Sequence, residues 1–65
     1  EILSVNVGRK QGVTPIELIS LVNRITKSNE IEIGSIDIRQ SYTIFDITDY
    51  NQENLAHLEM QVEKY

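Results

Sequence analysis

The chain has 65 residues, no cysteine and a net charge of −4, from six Lys and Arg against ten Asp and Glu. This length allows one domain with a small core and is too short for an ATPase motor. Without cysteine there is neither a disulfide framework nor a thiolate metal site. No apolar run approaches the roughly 20 residues that cross a bilayer, so we expect a cytoplasmic domain with no membrane partner.

An alternating apolar pattern over residues 3–7 predicts an opening strand with one buried face. The next residues form a short cationic loop, in which Gly8 and Gly12 flank Arg9 and Lys10. Glycines let the backbone take unusual dihedral angles or approach another group closely. We therefore expect the first strand to be followed by an exposed basic loop.

A helix start follows this loop directly. Thr14 occupies an N-cap position, Pro15 the first helical position, and Glu17 completes a capping box. Apolar residues then recur at three- and four-residue spacing, which predicts an amphipathic helix that ends at about Lys27. Residues 28–29 offer a stop for this helix.

Two further alternating runs predict a second and a third strand. After an acidic connection at residues 30–32, residues 35–39 place Ile36 and Ile38 on one side, and residues 42–47 alternate in the same way. Their close spacing predicts an antiparallel hairpin. Apolar residues at helical spacing then predict a second helix from about residue 51 to near the end of the chain.

The predicted order of strand, helix, strand, strand and helix is that of a ferredoxin-like, split βαβ fold of the α+β class. Right-handed crossovers put both helices on one face of an antiparallel sheet and leave the other face open. The fourth strand of this fold is not evident, since nothing after Leu58 offers a turn followed by a β-rich run. We expect it either beyond Tyr65, in a longer intact protein, or poorly replaced by residues 62–65.

Two blocks of the sequence are distinctive. Residues 6–10 read Asn-Val-Gly-Arg-Lys and are followed by Gly12 and Thr14-Pro15, while residues 33–38 and 42–47 form the predicted hairpin. Both blocks resemble the RNA-binding domain at the C-terminus of DbpA-type bacterial DEAD-box RNA helicases. The resemblance implies one RNA recognition motif-like domain over residues 1–65, as a C-terminal fragment of a larger helicase.

Such folds bind unpaired bases on aromatic side chains of the open sheet face. If residues 3, 5 and 7 face the helices, the open face carries Ser4, Asn6, Tyr42, Ile44 and Asp46. The three positions at which such folds usually place stacking aromatics hold Ser4, Tyr42 and Ile44, and only Tyr42 is aromatic. Tyr42 is therefore a candidate for base stacking, with an ordinary half-exposed strand tyrosine as the alternative.

The candidate RNA-binding residues are Arg9, Lys10, Arg39, Tyr42 and Asn6. A guanidinium and an ammonium on a short loop suit phosphate oxygens, although a solvated surface loop is the alternative. We interpret Arg24 and Lys27 as a solvated helix end that could extend the cationic patch. The single histidine, His57, has no second His or Cys with which to bind a metal. No catalytic or nucleotide-binding motif occurs, so we expect no enzyme activity, metal or cofactor in this domain.

The resemblance implies an accessory domain that tethers a DEAD-box, ATP-dependent RNA helicase to structured RNA, with ribosomal RNA as the expected target and ribosome assembly as the setting. The partners would be RNA and the helicase core in the same chain, whose motor domains would bind ATP and magnesium. The alternative is a protein-interaction or dimerisation module that uses the open face or a sheet edge. The acidic net charge and the non-aromatic Ser4 and Ile44 favour that alternative.

Overall fold

The computed structural model describes residues 1–27 and 31–65. In chain order, its elements are β1 (Ile2–Val5), a short 3-10 turn (Arg9–Gln11), α1 (Pro15–Thr26), β2 (Glu32–Ile38), β3 (Thr43–Asp49), α2 (Gln52–Glu59) and β4 (Glu63–Lys64). The strands form one antiparallel sheet in the order β2-β3-β1-β4. This arrangement confirms the predicted ferredoxin-like α+β fold.

The register of the two central strands confirms which residues face the core. Leu3 lies opposite Phe45 and Val5 opposite Thr43, while Ser4 lies opposite Ile44. Directly paired residues of antiparallel strands point to the same side of the sheet. Leu3 and Phe45 are buried, whereas Ser4 and Ile44 are only half-buried, so the latter pair belongs to the open face.

Both helices cover the same face of the sheet. The buried apolar residues come from the sheet, from both helices and from the segments that flank them, and they are Leu3, Leu18, Val22, Ile31, Phe45, Ile47, Leu55, Leu58 and Val62. None of the helices in residues 1–27 and 31–65 has the length and apolar character needed to span a membrane. The core is a single small cluster between one sheet face and two helices.

Helix α1 begins as predicted and ends one residue earlier. The Thr14 hydroxyl accepts a hydrogen bond from the Glu17 N–H at 3.2 Å, and Pro15 takes the first helical position. Lys27 follows the helix in the left-handed conformation, with φ at 55°. The predicted stop at residues 28–29 lies outside the described residues.

Strand β2 begins at Glu32, three residues before the start that alternation predicts. The pairing with β3 is irregular around Gly34, so that Ile33 lies opposite Ile47 and Ile36 opposite Phe45. A bulge inserts one residue and breaks the period-2 pattern. Because of this break, the sequence pattern predicts an acidic connection at residues 30–32, but Glu32 is the first residue of β2. Residue 30 lies outside the described residues.

Helix α2 ends at Glu59, well before the end of the chain, and a fourth strand follows it. The N–H groups of Gln61 and Val62 donate to the Leu58 carbonyl, at 3.0 and 2.9 Å, and turn the chain back. Lys64 then pairs with Leu3 on β1. This corrects the expectation that the fourth strand is missing or lies beyond Tyr65, and supports the alternative that residues 62–65 replace it. This strand consists of Glu63 and Lys64, which are both charged and exposed. It therefore lacks the alternating apolar pattern from which a strand is predicted.

Candidate nucleic-acid interface

The basic loop between β1 and α1 is held by its own hydrogen bonds. Residues Arg9–Gln11 form one 3-10 turn, and the Gln11 side-chain oxygen accepts from the Gly8 N–H at 2.7 Å. The Gly12 N–H donates to the Arg9 carbonyl at 2.9 Å. Gly12 is left-handed, with φ at 79°, a conformation that glycine adopts readily because it has no side chain. The loop therefore presents its two cations from a well-braced backbone.

The same loop is bound to the turn between β2 and β3. The N–H of Arg9 donates to the Arg39 carbonyl at 2.8 Å, and the N–H of Lys10 donates to the Gln40 carbonyl at 3.0 Å. Gly8 lies against this turn so closely that a β carbon would clash with the Arg39 carbonyl oxygen. The β1–α1 loop and the β2–β3 turn thus form one unit at a single corner of the domain.

Three of the predicted RNA-binding residues meet at this corner. The side chains of Arg9 and Lys10 are exposed, and none of the ion pairs found in residues 1–27 and 31–65 involves either of them. Arg39 adds a third exposed cation from the adjoining turn. We call these three residues, Arg9, Lys10 and Arg39, the basic corner. Guanidinium and ammonium groups grouped in this way can donate several hydrogen bonds to phosphate oxygens.

Arg39 differs from the other two cations because an acid orients it. Its Nε and one terminal nitrogen both lie 2.8 Å from Oδ2 of Asp37, and its Cζ lies 6.0 Å from the centre of the Tyr42 ring. The hydrogen bond from Arg39 lowers the pKa of Asp37 below its ordinary value of 3.8, and the charge of Arg9 contributes in the same direction. The guanidinium is thereby fixed beside the ring, with its remaining donors available to a ligand.

Tyr42 and Asn6 lie on the open face beside the basic corner. Each is one residue outside a strand, since β1 ends at Val5 and β3 begins at Thr43. Val5 lies opposite Thr43, so extending the register by one residue sets Asn6 opposite Tyr42. Tyr42 is half-buried and Asn6 is exposed. The five candidate residues therefore occupy neighbouring positions, although they come from two separate parts of the chain, residues 6–10 and residues 39–42.

Comparison with protein families gives one match. The family model described as the DbpA RNA binding domain matches residues 2–61. The chain belongs to the DbpA RNA binding domain family. Membership of this family identifies the chain as an RNA-binding domain, and a domain of this kind is not itself catalytic. Comparisons with curated proteins and with solved structures give no match.

No metal site accompanies the basic corner in the described part of this DbpA-type domain. Within residues 1–27 and 31–65, no group of three or more His, Cys, Asp or Glu side chains is arranged to hold a metal ion. His57 is exposed on α2. The chemistry available at the corner is hydrogen bonding and charge attraction to an anionic ligand.

Sequence reasoning missed two contributors to the interface of this DbpA-type domain. Gln11 braces the basic loop, and nothing in its sequence neighbourhood indicates that role. Asp37 orients Arg39. The second contact had a detectable signal, because residues two apart on a strand share a face and opposite charges at that spacing can pair.

Proposed function

We propose that this chain is the accessory RNA-binding domain of a DEAD-box RNA helicase and that it tethers the helicase to structured RNA, with ribosomal RNA as the expected class. The observation that carries the proposal is the basic corner. Backbone hydrogen bonds join the loop that bears Arg9 and Lys10 to the turn that bears Arg39. Because the backbone that carries these cations is held by hydrogen bonds, less backbone entropy is lost when their side chains contact phosphates than a mobile loop would lose.

The acidic net charge of −4 is compatible with this role. Charges separated by more than about 8–10 Å are largely screened at physiological salt, so local cations dominate short-range contacts with phosphate. Long-range attraction to RNA would be weak, and the domain would associate slowly unless the target is brought near. Modest binding suffices for a tether, because it raises the effective concentration of the attached motor at its target.

The proposal extends to the parent protein. The DbpA family match supports an ATP-dependent RNA helicase whose motor domains lie in the same chain and bind ATP and magnesium. Its expected setting is ribosome assembly in the bacterial cytoplasm. Hydrolysis of ATP belongs to those motor domains, while the 65-residue domain supplies only recognition.

The first test is a titration of the purified domain against structured ribosomal RNA fragments at about 50 and 200 mM salt. We expect the Arg9→Ala/Lys10→Ala variant to bind at least about tenfold more weakly at low salt. In a plot of log affinity against log salt concentration, the slope of this variant should be shallower than that of the unaltered domain by about one to two. The reason is that each phosphate contact releases close to one counterion. Fluorescence anisotropy of labelled RNA measures both quantities.

The control is Lys27→Asn, which removes one positive charge at the residue that follows α1, at the end away from the basic loop. It is compared with the single variants Arg9→Ala and Lys10→Ala. Arg24 is left unchanged, because its side chain lines the same small cavity as Val7 and Val13, which flank the basic loop. Asparagine suits position 27 because it tolerates the left-handed conformation found there, φ 55°. A loss of affinity in Lys27→Asn equal to that in the single loop variants, or no binding by the unaltered domain at low salt, would contradict the proposal.

A further inference from the structure

The open sheet face carries an exposed apolar patch that begins at Ile2 and Tyr65. This patch adjoins the basic corner, because the pKa of Arg39, which the hydrogen bond to Asp37 raises most, is raised further by the nearby Tyr65 side chain. Ile2 lies opposite Asp46 on β3, and the Tyr65 N–H donates to the Ile2 carbonyl at 3.0 Å. Ile2 is 51% exposed and Tyr65 is 72% exposed. Large apolar side chains exposed side by side are a feature of binding surfaces rather than of isolated surface positions.

Acidic side chains border this patch. Glu63 on β4 lies opposite Ser4 and is exposed, and Asp46 on β3 lies opposite Ile2. The central strands add the half-buried Ile44. We call Ile2, Ile44, Asp46, Glu63 and Tyr65 the open-face patch. It contains two acids and no cation, so its character is opposite to that of the basic corner.

The contrast in charge indicates different ligands for the two surfaces. RNA lying on the open-face patch would bring its phosphates towards Asp46 and Glu63, and like charges at close range repel. The chemistry that fits the patch is positive charge combined with apolar side chains.

We propose that the open-face patch binds a basic peptide segment while the basic corner binds RNA. Lys or Arg side chains of the segment pair with Asp46 and Glu63, and its apolar side chains pack on Ile2, Ile44 and Tyr65. An extended segment suits this surface, because alternate residues of a strand point to one side and would meet acid and apolar positions in turn. The domain then joins a protein partner and an RNA at two adjoining surfaces, since Ile44 of the patch lies opposite Asp37, which binds Arg39 of the basic corner.

The probe is an acetylated and amidated decapeptide in which pairs of Lys alternate with pairs of Val, so that each side of the extended peptide carries both residue types. It is used for amide chemical-shift mapping of the isotope-labelled domain. We expect shifts in the open-face patch and an affinity that weakens as salt is raised. The Asp46→Asn/Glu63→Gln variant should bind about three- to tenfold more weakly, as the loss of two partly exposed ion pairs implies. Tyr65→Ser should weaken binding as well, and a Lys/Ser peptide of equal charge should bind less tightly than the Lys/Val peptide.

The matched control for the acid variant is Asp49→Asn/Glu53→Gln, which removes two exposed acids at the end of β3 and the start of α2. It should leave peptide affinity unchanged. Three results would overturn the inference: no peptide binding at about 1 mM, displacement of the peptide by RNA that shifts the same patch, or concentration-dependent dimerisation through this face without peptide binding. The first and third results are measured without RNA, and the second depends on which amide signals RNA shifts rather than on its affinity, so failure of this inference is distinguishable from failure of the proposed function.

Discussion

At the scale of single residues, Gly8 determines whether the basic loop can reach the hairpin turn. A β carbon at this position would lie 2.8 Å from the Tyr42 nitrogen and closer still to the Arg39 carbonyl oxygen. Both obstacles are backbone atoms, so no side-chain rotation relieves them. The φ of Gly8, −150°, is open to any residue, and the requirement for glycine here is therefore one of space.

We expect Gly8→Ala to lower the free energy of unfolding by about 2 kcal/mol, within the range for overpacking, and to weaken RNA binding by displacing Arg9 and Lys10. Urea unfolding and an RNA titration measure the two effects. Gly12→Asn is the control, because its β carbon would meet no atom within 4 Å and asparagine tolerates a left-handed backbone. If both variants unfold at the same urea concentration, close approach at Gly8 is not the constraint that we infer.

At the scale of elements, each helix begins with a side-chain cap. The Thr14 hydroxyl accepts from the Glu17 N–H at 3.2 Å, and the Asn51 side-chain oxygen accepts from the Asn54 N–H at 2.8 Å. Each bond satisfies one of the backbone donors that a helix start leaves unpaired. The cap on α1 also fixes where the basic loop ends and the helix begins.

We expect Thr14→Ala to destabilise the domain by about 1 kcal/mol, which corresponds to a fall in melting temperature of roughly 4–8 °C for a domain of this size. Thr14→Ser keeps the hydroxyl and should melt close to the unaltered domain. Circular dichroism during heating gives both values. Equal losses in the alanine and serine variants would mean that the threonine methyl group, and not the cap, provides the stability.

At the scale of the whole molecule, one small core supports both surfaces. Phe45 is 1% exposed and lies at the centre of the sheet, opposite Leu3 on one side and Ile36 on the other. A single core in a domain of this size supplies only about 3–5 kcal/mol of net stability. Truncation of a buried phenylalanine costs about as much.

Phe45→Ala should therefore leave the domain largely unfolded at 25 °C, with loss of dispersion in the amide spectrum. Ile16→Ala is the control, because Ile16 is 76% exposed on α1 and its truncation should change the free energy of unfolding by no more than about 0.5 kcal/mol. A cooperative unfolding transition retained by Phe45→Ala would show that the core tolerates a cavity at its centre.

Local patterns in the sequence were enough to predict three of the four strands, both helices, the buried face of the central strands and the family. Alternation assigned Leu3 and Phe45 to the core, and the motif Thr14-Pro15 with Glu17 marked the start of α1. These features depend on residues close together in the chain, whose side-chain types record the local structure. The basic loop and Arg39 were likewise identified as RNA-binding candidates from their own neighbourhoods.

Only the tertiary structure showed that the basic loop and Arg39 form one surface, that β2 contains a bulge, and that residues 63–64 complete the sheet. The contacts responsible join residues that lie between 11 positions apart, as Ser35 and Asp46 do, and 61 positions apart, as Leu3 and Lys64 do. Most of them are made by backbone N–H and carbonyl groups. Every residue type except proline carries both of these groups, so such contacts leave little trace in the sequence. The pairing of a short charged strand with β1 depends on the edge of β1 that its pairing with β3 leaves open.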